Sequence, residues 1–575
     1  MKTNFKRIFA LLIALMIFAG TVPFSVSAQG YEQATAQVEA NADAAIEAPA
    51  AVETRSDDTV EAGAAAEKPS FDPYAIVGKA EITVAENGYI TVEDPAKEIN
   101  ERRAAEVNAA KAGTENEDPL PEYYNSRDLG YVNRVYEQLY GDCWALASLG
   151  ACASYMIKHG LDLYMGDAYA GRADPSMELS GFHLISSTYG AVYDKLGIAT
   201  EEKLLNPNGE DIYQFGGSAF YVAQVLMGGN GPVNAKMPGL EYNKHFDTST
   251  GPFGPEYLSA QAAQVIETEK IGKNNPDAIK RALLEYGGAA MGFTPYPYGS
   301  TAYINYYTGA FCYIGELTGS NHAVELVGWD DNYSRENFNE ISRPQNNGAW
   351  IVKNSWGTNE NDGDGGYYYI SYETTCVGNE VTFYRLAEND PDLRIYQYDP
   401  TACYYYLHVD NGSSYASVFT ALGDESLTAV SASVLLDDRT YTVDVYVGCD
   451  LDDPTTGVHA ASKTVYWENK GYRRVELDEP VHLDEGDRYS IVITMADDTG
   501  DDFYLEIAYD GPIGDVYLDH GVYDGSFYIR DGNDPDSEWD DCSESFNGRI
   551  KGYTVADGPV CPDSPDGRHD YGKEE

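Results

Sequence analysis

Hydrophobic and polar positions divide the chain into stretches of different texture. Ile8 to Ala19 is an apolar run behind Lys2, Lys6 and Arg7 and ahead of Val26-Ser27-Ala28. A basic start, a short apolar run and a small-residue ending predict a signal peptide over residues 1–28, cut before Gln29. The run is short for a bilayer span and no other segment is apolar enough, so no membrane span is expected after its removal. Gln29 to about Pro69 is rich in Ala and Glu and poor in aromatics, the composition of a disordered tract. Ile76-Val77, Ile82-Thr83-Val84 and Tyr89-Ile90-Thr91-Val92 then predict short strands. The charged segment Ala96 to Ala112 predicts a helix. Residues 29–118 as a whole read either as a propeptide lying across a cleft or as a linker.

Three later segments carry chemistry. After the turn Gly141-Asp142, the Ala-, Leu- and Met-rich stretch from Trp144 to about Met156 predicts a helix, with Cys143 in its first turn. Free N–H groups and the positive helix end favour a thiolate there. Gly319 to Trp329 passes from polar residues into an apolar strand-like run, with His322 at its mouth. Gly348 to Gly357 reads as a second short strand ending in a turn at Asn354-Ser355-Trp356. Singly, these are a buried Cys, a structural His and a turn Asn. Together they supply a thiol nucleophile, an imidazole to deprotonate it and an amide to orient the imidazole, the equipment for acyl transfer through a thioester.

Beyond Ala387 the texture changes at a polar break, Glu388-Asn389-Asp390-Pro391-Asp392. Val443, Val445 and Val447 then alternate with Thr442, Asp444 and Tyr446. Val475-Glu476-Leu477 and Tyr489–Met495 flank a turn at Asp484-Glu485-Gly486-Asp487, and Phe503–Tyr509 and Phe527–Arg530 add further strands. This spacing predicts an antiparallel β-sandwich over residues 389–556, followed by a tail over 557–575. The break also predicts two independently folding domains, with every catalytic candidate in the first, over residues 119–388.

The motifs resemble those of the papain-like (C1) cysteine peptidases. The matching strings are Gln138…Gly141-Asp142-Cys143-Trp144, Asn321-His322-Ala323-Val324 with Val327-Gly328, and Lys353-Asn354-Ser355-Trp356-Gly357. Leu120-Pro121…Arg127-Asp128, Glu178-Leu179-Ser180, Phe215-Gly216-Gly217 and Gly366-Tyr367 surround them. The resemblance implies an α+β fold, a two-lobed peptidase domain whose cleft divides a helical lobe from a strand-rich one. It implies Cys143 as nucleophile, His322 as base, Asn354 as orienter and Gln138 as oxyanion donor. Gly216 and Gly217 are implied in the substrate cleft, with Trp356 shielding the His322–Asn354 bond. One departure is visible: the family's Gln stands six residues before the nucleophile, whereas here Gln138 stands five before and Glu137 six. A loop one residue shorter restores Gln138 to the role. The all-β second part more loosely resembles the lectin-like module of some bacterial members, at Ile395–Asp399, the Gly486-Asp487-Arg488-Tyr489 hairpin and Gly525-Ser526-Phe527-Tyr528 with Trp539. That likeness implies docking on a cell surface or glycan.

Charge and cysteine content narrow the picture. With 93 acidic against 38 basic residues, the net charge is −55, which excludes nucleic acid as a partner. Asn361-Asp362-Gly363-Asp364 and Asp531-Gly532-Asn533-Asp534 are candidate calcium loops, but neither has EF-hand spacing, and solvated loops are the expected reading. No cofactor is required and no metal ligand set is assigned. Eight cysteines, one of them the implied nucleophile, leave an odd number, so at least one more free thiol or an intermolecular bond is expected, and such sparse cysteine use in a chain of this size predicts folding without a disulfide scaffold. The expectation is therefore a secreted, zymogenic cysteine endopeptidase acting on protein or peptide substrates. The alternatives are a cell-wall peptide amidase or transpeptidase, and a catalytically weak adhesin.

Overall fold

The structure is a computed structural model that describes residues 77–557, apart from 86–87, 112–117, 162–175, 241–252, 254–256, 258–260, 359–362 and the single positions 207, 210, 238, 498, 514, 515, 533 and 535. The signal peptide, the tract over residues 29–69 and the tail beyond 557 lie outside the described residues, as does part of each acidic loop.

Helices Cys143–His159, Gly181–Tyr189 and Ala219–Met227 build one lobe of the catalytic half. Ser180 caps the second by accepting from the amide of His183. The other lobe is a nine-stranded sheet in the order Ala263–Gly272, Val377–Glu388, Ala289–Phe293, His322–Asp330, Ala349–Lys353, Tyr367–Ser371, Ala310–Phe311 and Ile304–Asn305, with Tyr123–Asn125 added beside His322–Asp330. The strand His322–Asp330 is buried along all but its last residue, which explains why it reads as a nearly continuous apolar run.

The second half is all strand. One sheet orders Leu393–Tyr396, Ile550–Ala556, Glu425–Val434 and Gly471–Leu483. A facing sheet orders Val458–Trp467, Arg439–Val447, Arg488–Met495, Ser414–Thr420, Tyr528–Arg530 and Asp540–Asp541. The period-2 pattern holds: Tyr441, Val443 and Val445 are buried while Thr442, Asp444 and Tyr446 are partly exposed. Phe527 and Tyr528 lie in the core and not on the surface.

The expectation of two independent bodies meets a different arrangement. The described residues, from Val77 onward, fall in one compact unit. Ala402, Cys403, Tyr404, Tyr472, Ile513, Val516 and Leu518 from the second half share a single apolar cluster with Cys143, Trp144 and Phe383. Lys203–Leu205 pairs with Val516–Asp519, and the amide of Lys270 donates to the carbonyl of Lys470 at 2.8 Å. The Gln224 side chain both donates to Cys403 O and accepts from its amide, each at 2.8 Å. The polar break is a surface turn and not the edge of a core. Backbone polarity at one turn is local information; what packs beneath it is not.

The predicted N-terminal elements are present. Strands Val77–Lys79, Ile82–Val84 and Ile90–Val92 precede a helix over Lys97–Lys111. This arm touches both halves. Val77–Lys79 adds to the edge of Tyr405–Val409 in the second half. Asn100 donates to Leu435 O at 2.9 Å and accepts from the Asp437 amide at 3.0 Å. The buried Lys470 ammonium pairs with Asp94 of the arm and with Glu380 of the catalytic sheet. Tyr89-Ile90 crosses to the catalytic half, where the Ile90 amide donates to Gly217 O at 2.9 Å.

Candidate active site

Cys143 is the first residue of its helix, with Asp142 at the N-cap. A first-turn position leaves amide hydrogens without helical acceptors. The amides of Cys143, Trp144 and Ala323 face the sulfur and favour the thiolate, but complete burial outweighs them and pushes the thiol up to about 12. Ala323 directly follows His322, so the thiol and the imidazole-bearing strand meet across the cleft.

His322 begins the strand His322–Asp330 and is buried. Its Nε2 lies 2.7 Å from Asn354 Oδ1. The same Oδ1 accepts from the amide of Ser355 at 2.8 Å. A backbone N–H only donates, so this atom is the amide oxygen and the Nε2 facing it carries the proton. Nδ1 is then the unprotonated nitrogen, available as a base. Burial lowers the imidazole to about 4, against a smaller upward pull from Asn354. The Trp356 ring stacks on His322 at 4.8 Å and 21°, and Tyr296 stacks on the outer face of Trp356 at 5.6 Å and 6°. His322, Trp356 and Tyr296 thus form one aromatic stack.

Gln138 faces inward and Glu137 is exposed. The Gln138 amide nitrogen donates to Tyr140 O at 3.0 Å, its oxygen accepts from Ser355 Oγ at 2.7 Å, and its backbone amide donates to Ser355 O at 2.7 Å. One amide hydrogen is left over. The loop therefore presents the residue five before Cys143 to the Asn354-Ser355-Trp356 turn. Gly217 packs on the Trp144 ring, where a Cβ would come within 2.5 Å. A Cβ on Gly216 would overlap the carbonyl of Gly88 in the arm. Both glycines are thus needed for close backbone approach.

Sequence reading missed the support beneath this site. Glu325 lies three residues after His322, and Lys353 immediately precedes Asn354. They form a fully buried ion pair at 2.5 Å, completed by Ser154 of the nucleophile's helix and by Asn133. The pair ties together the strands and helix that carry all three motifs. Removing one partner from such a pair costs about 3–5 kcal/mol. The signal was present as a lone Glu inside an apolar strand.

Among the described residues, Cys143, Cys152, Cys312, Cys376, Cys403, Cys449 and Cys542 are all free and buried, and no His/Cys/Asp/Glu group is arranged to hold a metal ion.

Comparison with known proteins matches this geometry to a family. Residues 238–385, which include His322 and Asn354, match the papain family cysteine protease model, and residues 395–554 match the lectin-like domain model. The protein is a papain-like cysteine peptidase with a lectin-like module. Cys143 lies upstream of the matched peptidase segment. No curated protein matches the chain. Among solved structures, the peptidase is similar to the protease and lectin-like domains of Cwp84, a surface-layer-associated protein of Clostridium difficile. That match has 21% identity and a TM-score of 0.61, covering 84% of this chain and 98% of that one. The clostridial Cwp84 after propeptide cleavage matches at 22% identity and a TM-score of 0.60, over 76% of this chain and 99% of that one. These likenesses establish a papain-like α+β fold followed by a β-rich lectin-like fold.

Proposed function

We propose that the peptidase is an exported endopeptidase held latent by its own N-terminal arm. It cleaves peptide bonds through Cys143, His322 and Asn354. The observation that carries this reading is the Asn354 oxygen bonded to His322 Nε2. It fixes the one tautomer that can accept a thiol proton at Nδ1. In the reaction, His322 Nδ1 takes the proton from Cys143, and sulfur attacks the substrate carbonyl. The backbone amide of Cys143 and the remaining amide hydrogen of Gln138 stabilise the oxyanion. His322 returns the proton to the leaving amine, and water then hydrolyses the thioester. Labelling the matured enzyme with an epoxide probe for reactive cysteines, beside assays on peptides and on cell-wall fragments, tests the reading. Label at Cys143 with peptide cleavage is expected. Cleavage of wall fragments alone would overturn it.

Gln138→Ala is expected to lower kcat by roughly 10²-fold with little change in KM. Glu137→Gln should be nearly neutral. The reverse ranking in steady-state kinetics would remove Gln138 from the oxyanion site.

Latency rests on where the arm lies. The Ile90 amide occupies the Gly217 carbonyl, which an extended peptide substrate would otherwise use. Dehydration beneath the arm holds the thiol high and the imidazole low, so both stay uncharged. Maturation is expected by cleavage between about Arg103 and Pro119, from within the arm's helix to just ahead of Leu120-Pro121. Mass spectrometry of the active form locates the cut. Epoxide labelling of Cys143 should rise at least about tenfold on maturation. Full activity in a chain that still begins near Gln29 would make the arm a linker. The export signal over residues 1–28 and the lectin-like module together support a secreted enzyme that docks on a surface or glycan ligand.

A further inference from the structure

Tyr89 of the arm is packed into the catalytic half. It is 7% exposed and belongs to the apolar cluster that contains Cys143, Trp144, Met291, Phe293 and Ala323. Its hydroxyl bonds to the Ser320 side chain and lies within electrostatic reach of the Cys143 thiol. Thr91, on the same side of the strand, also reaches Ser320, at 3.4 Å to its carbonyl. Ser320 stands two residues before His322.

Opposite Ser320 the floor of this pocket is bare backbone. Gly292 sits inside the fully buried strand Ala289–Phe293 and pairs with Ala323. A Cβ there would lie 2.5 Å from Ser320 Oγ and 2.8 Å from the Tyr89 hydroxyl. A glycine within a buried strand marks a place where another group must approach closely. Here two groups approach, the Ser320 side chain and the Tyr89 phenol.

We propose that Gly292 and Ser320 form a tyrosine-selecting subsite of the cleft, which the arm fills with Tyr89 while the enzyme is latent and substrates fill after maturation. Gly292 provides the depth for an aromatic ring. Ser320, itself half-buried, provides a hydroxyl partner for the phenol, a hydrogen bond that a phenylalanine ring cannot make. The proposal rests on the cysteine peptidase reading and adds its substrate class: unstructured peptide segments that present a tyrosine close to the scissile bond.

The test uses the matured enzyme and a positional-scanning library of fluorogenic peptides. One position should prefer tyrosine over phenylalanine by about 5–10-fold, and phenylalanine over alanine by more. Ser320→Ala should level tyrosine with phenylalanine without lowering phenylalanine. Gly292→Val should abolish cleavage of both aromatics while small side chains are still cut. Equal rates for tyrosine and phenylalanine in the unsubstituted enzyme overturn the subsite, as does a tyrosine preference that survives Ser320→Ala. Those outcomes concern an enzyme that takes up the epoxide at Cys143. One that neither labels nor cleaves overturns the peptidase reading, and the subsite with it.

Discussion

Cys143→Ser is expected to lower kcat/KM on peptides by at least about 10⁴-fold while leaving thermal unfolding nearly unchanged. The two side chains differ by one atom, so the buried first turn of the helix is not repacked. The chemistry differs much more. The amides of Cys143, Trp144 and Ala323 favour an anion at that atom. A thiol next to an unprotonated imidazole nitrogen can ionise, whereas a hydroxyl there is far weaker an acid. His322→Ala should be as damaging, since it removes the acceptor of the proton. Asn354→Ala should be milder, because it frees the ring to rotate without removing the base. The ranking can be read from progress curves of the three variants after maturation. Appreciable turnover by Cys143→Ser would exclude this thiol as the nucleophile.

The second large effect concerns the lectin-like module. The polar break at residues 388–392 invites a cut there, and on sequence grounds the catalytic part should survive it. The structure predicts the opposite: a chain ending at Leu386 should aggregate or lose most activity, on small soluble peptides as much as on large substrates. The cut would strip Tyr404, Tyr472, Val516 and Leu518 from the cluster that also holds Cys143 and Trp144. It would leave the buried Gln224 amide without Cys403 and would take Arg473 from Glu267, paired at 3.0 Å. Each buried polar group orphaned in this way costs about 1–3 kcal/mol, against a net stability typically of 5–15 kcal/mol. Circular dichroism and peptide assays on the shortened chain check this. A soluble product with full small-peptide activity would show that the shared cluster is dispensable.

The arm was legible as elements but not in its contacts. Three short strands and a charged helix follow from alternation and propensity alone. Their destinations do not. Asp94 pairs with Lys470, 376 residues away along the chain, and Ile90 meets Gly217. Such pairings are set by three-dimensional complementarity, and no local window contains both partners.

The position of Gln138 shows a similar division. Counting residues leaves Glu137 and Gln138 as rivals. The fold presents Gln138 and not Glu137 to the Asn354-Ser355-Trp356 turn, because the backbone of Glu137 bridges to Trp356, which turns its side chain outward and Gln138 inward. In an extended segment successive side chains point to opposite sides, so a single backbone pairing settles which residue faces the site.

The sequence by itself determined the candidate site. Thiol, imidazole and amide are recognisable because each stands where a strand or helix must begin or end, and element ends are encoded by nearby residues. It also determined the papain-like and lectin-like halves, since their periodicities are local. Only the tertiary structure decided that the two halves share one core, that the Glu325–Lys353 pair fastens the catalytic strands together, and that Tyr89 fills a pocket floored by Gly292 and Ser320. Those features depend on which buried surfaces meet. Burial of apolar area is non-directional, so many partners satisfy the same local pattern, and only the packed whole selects among them.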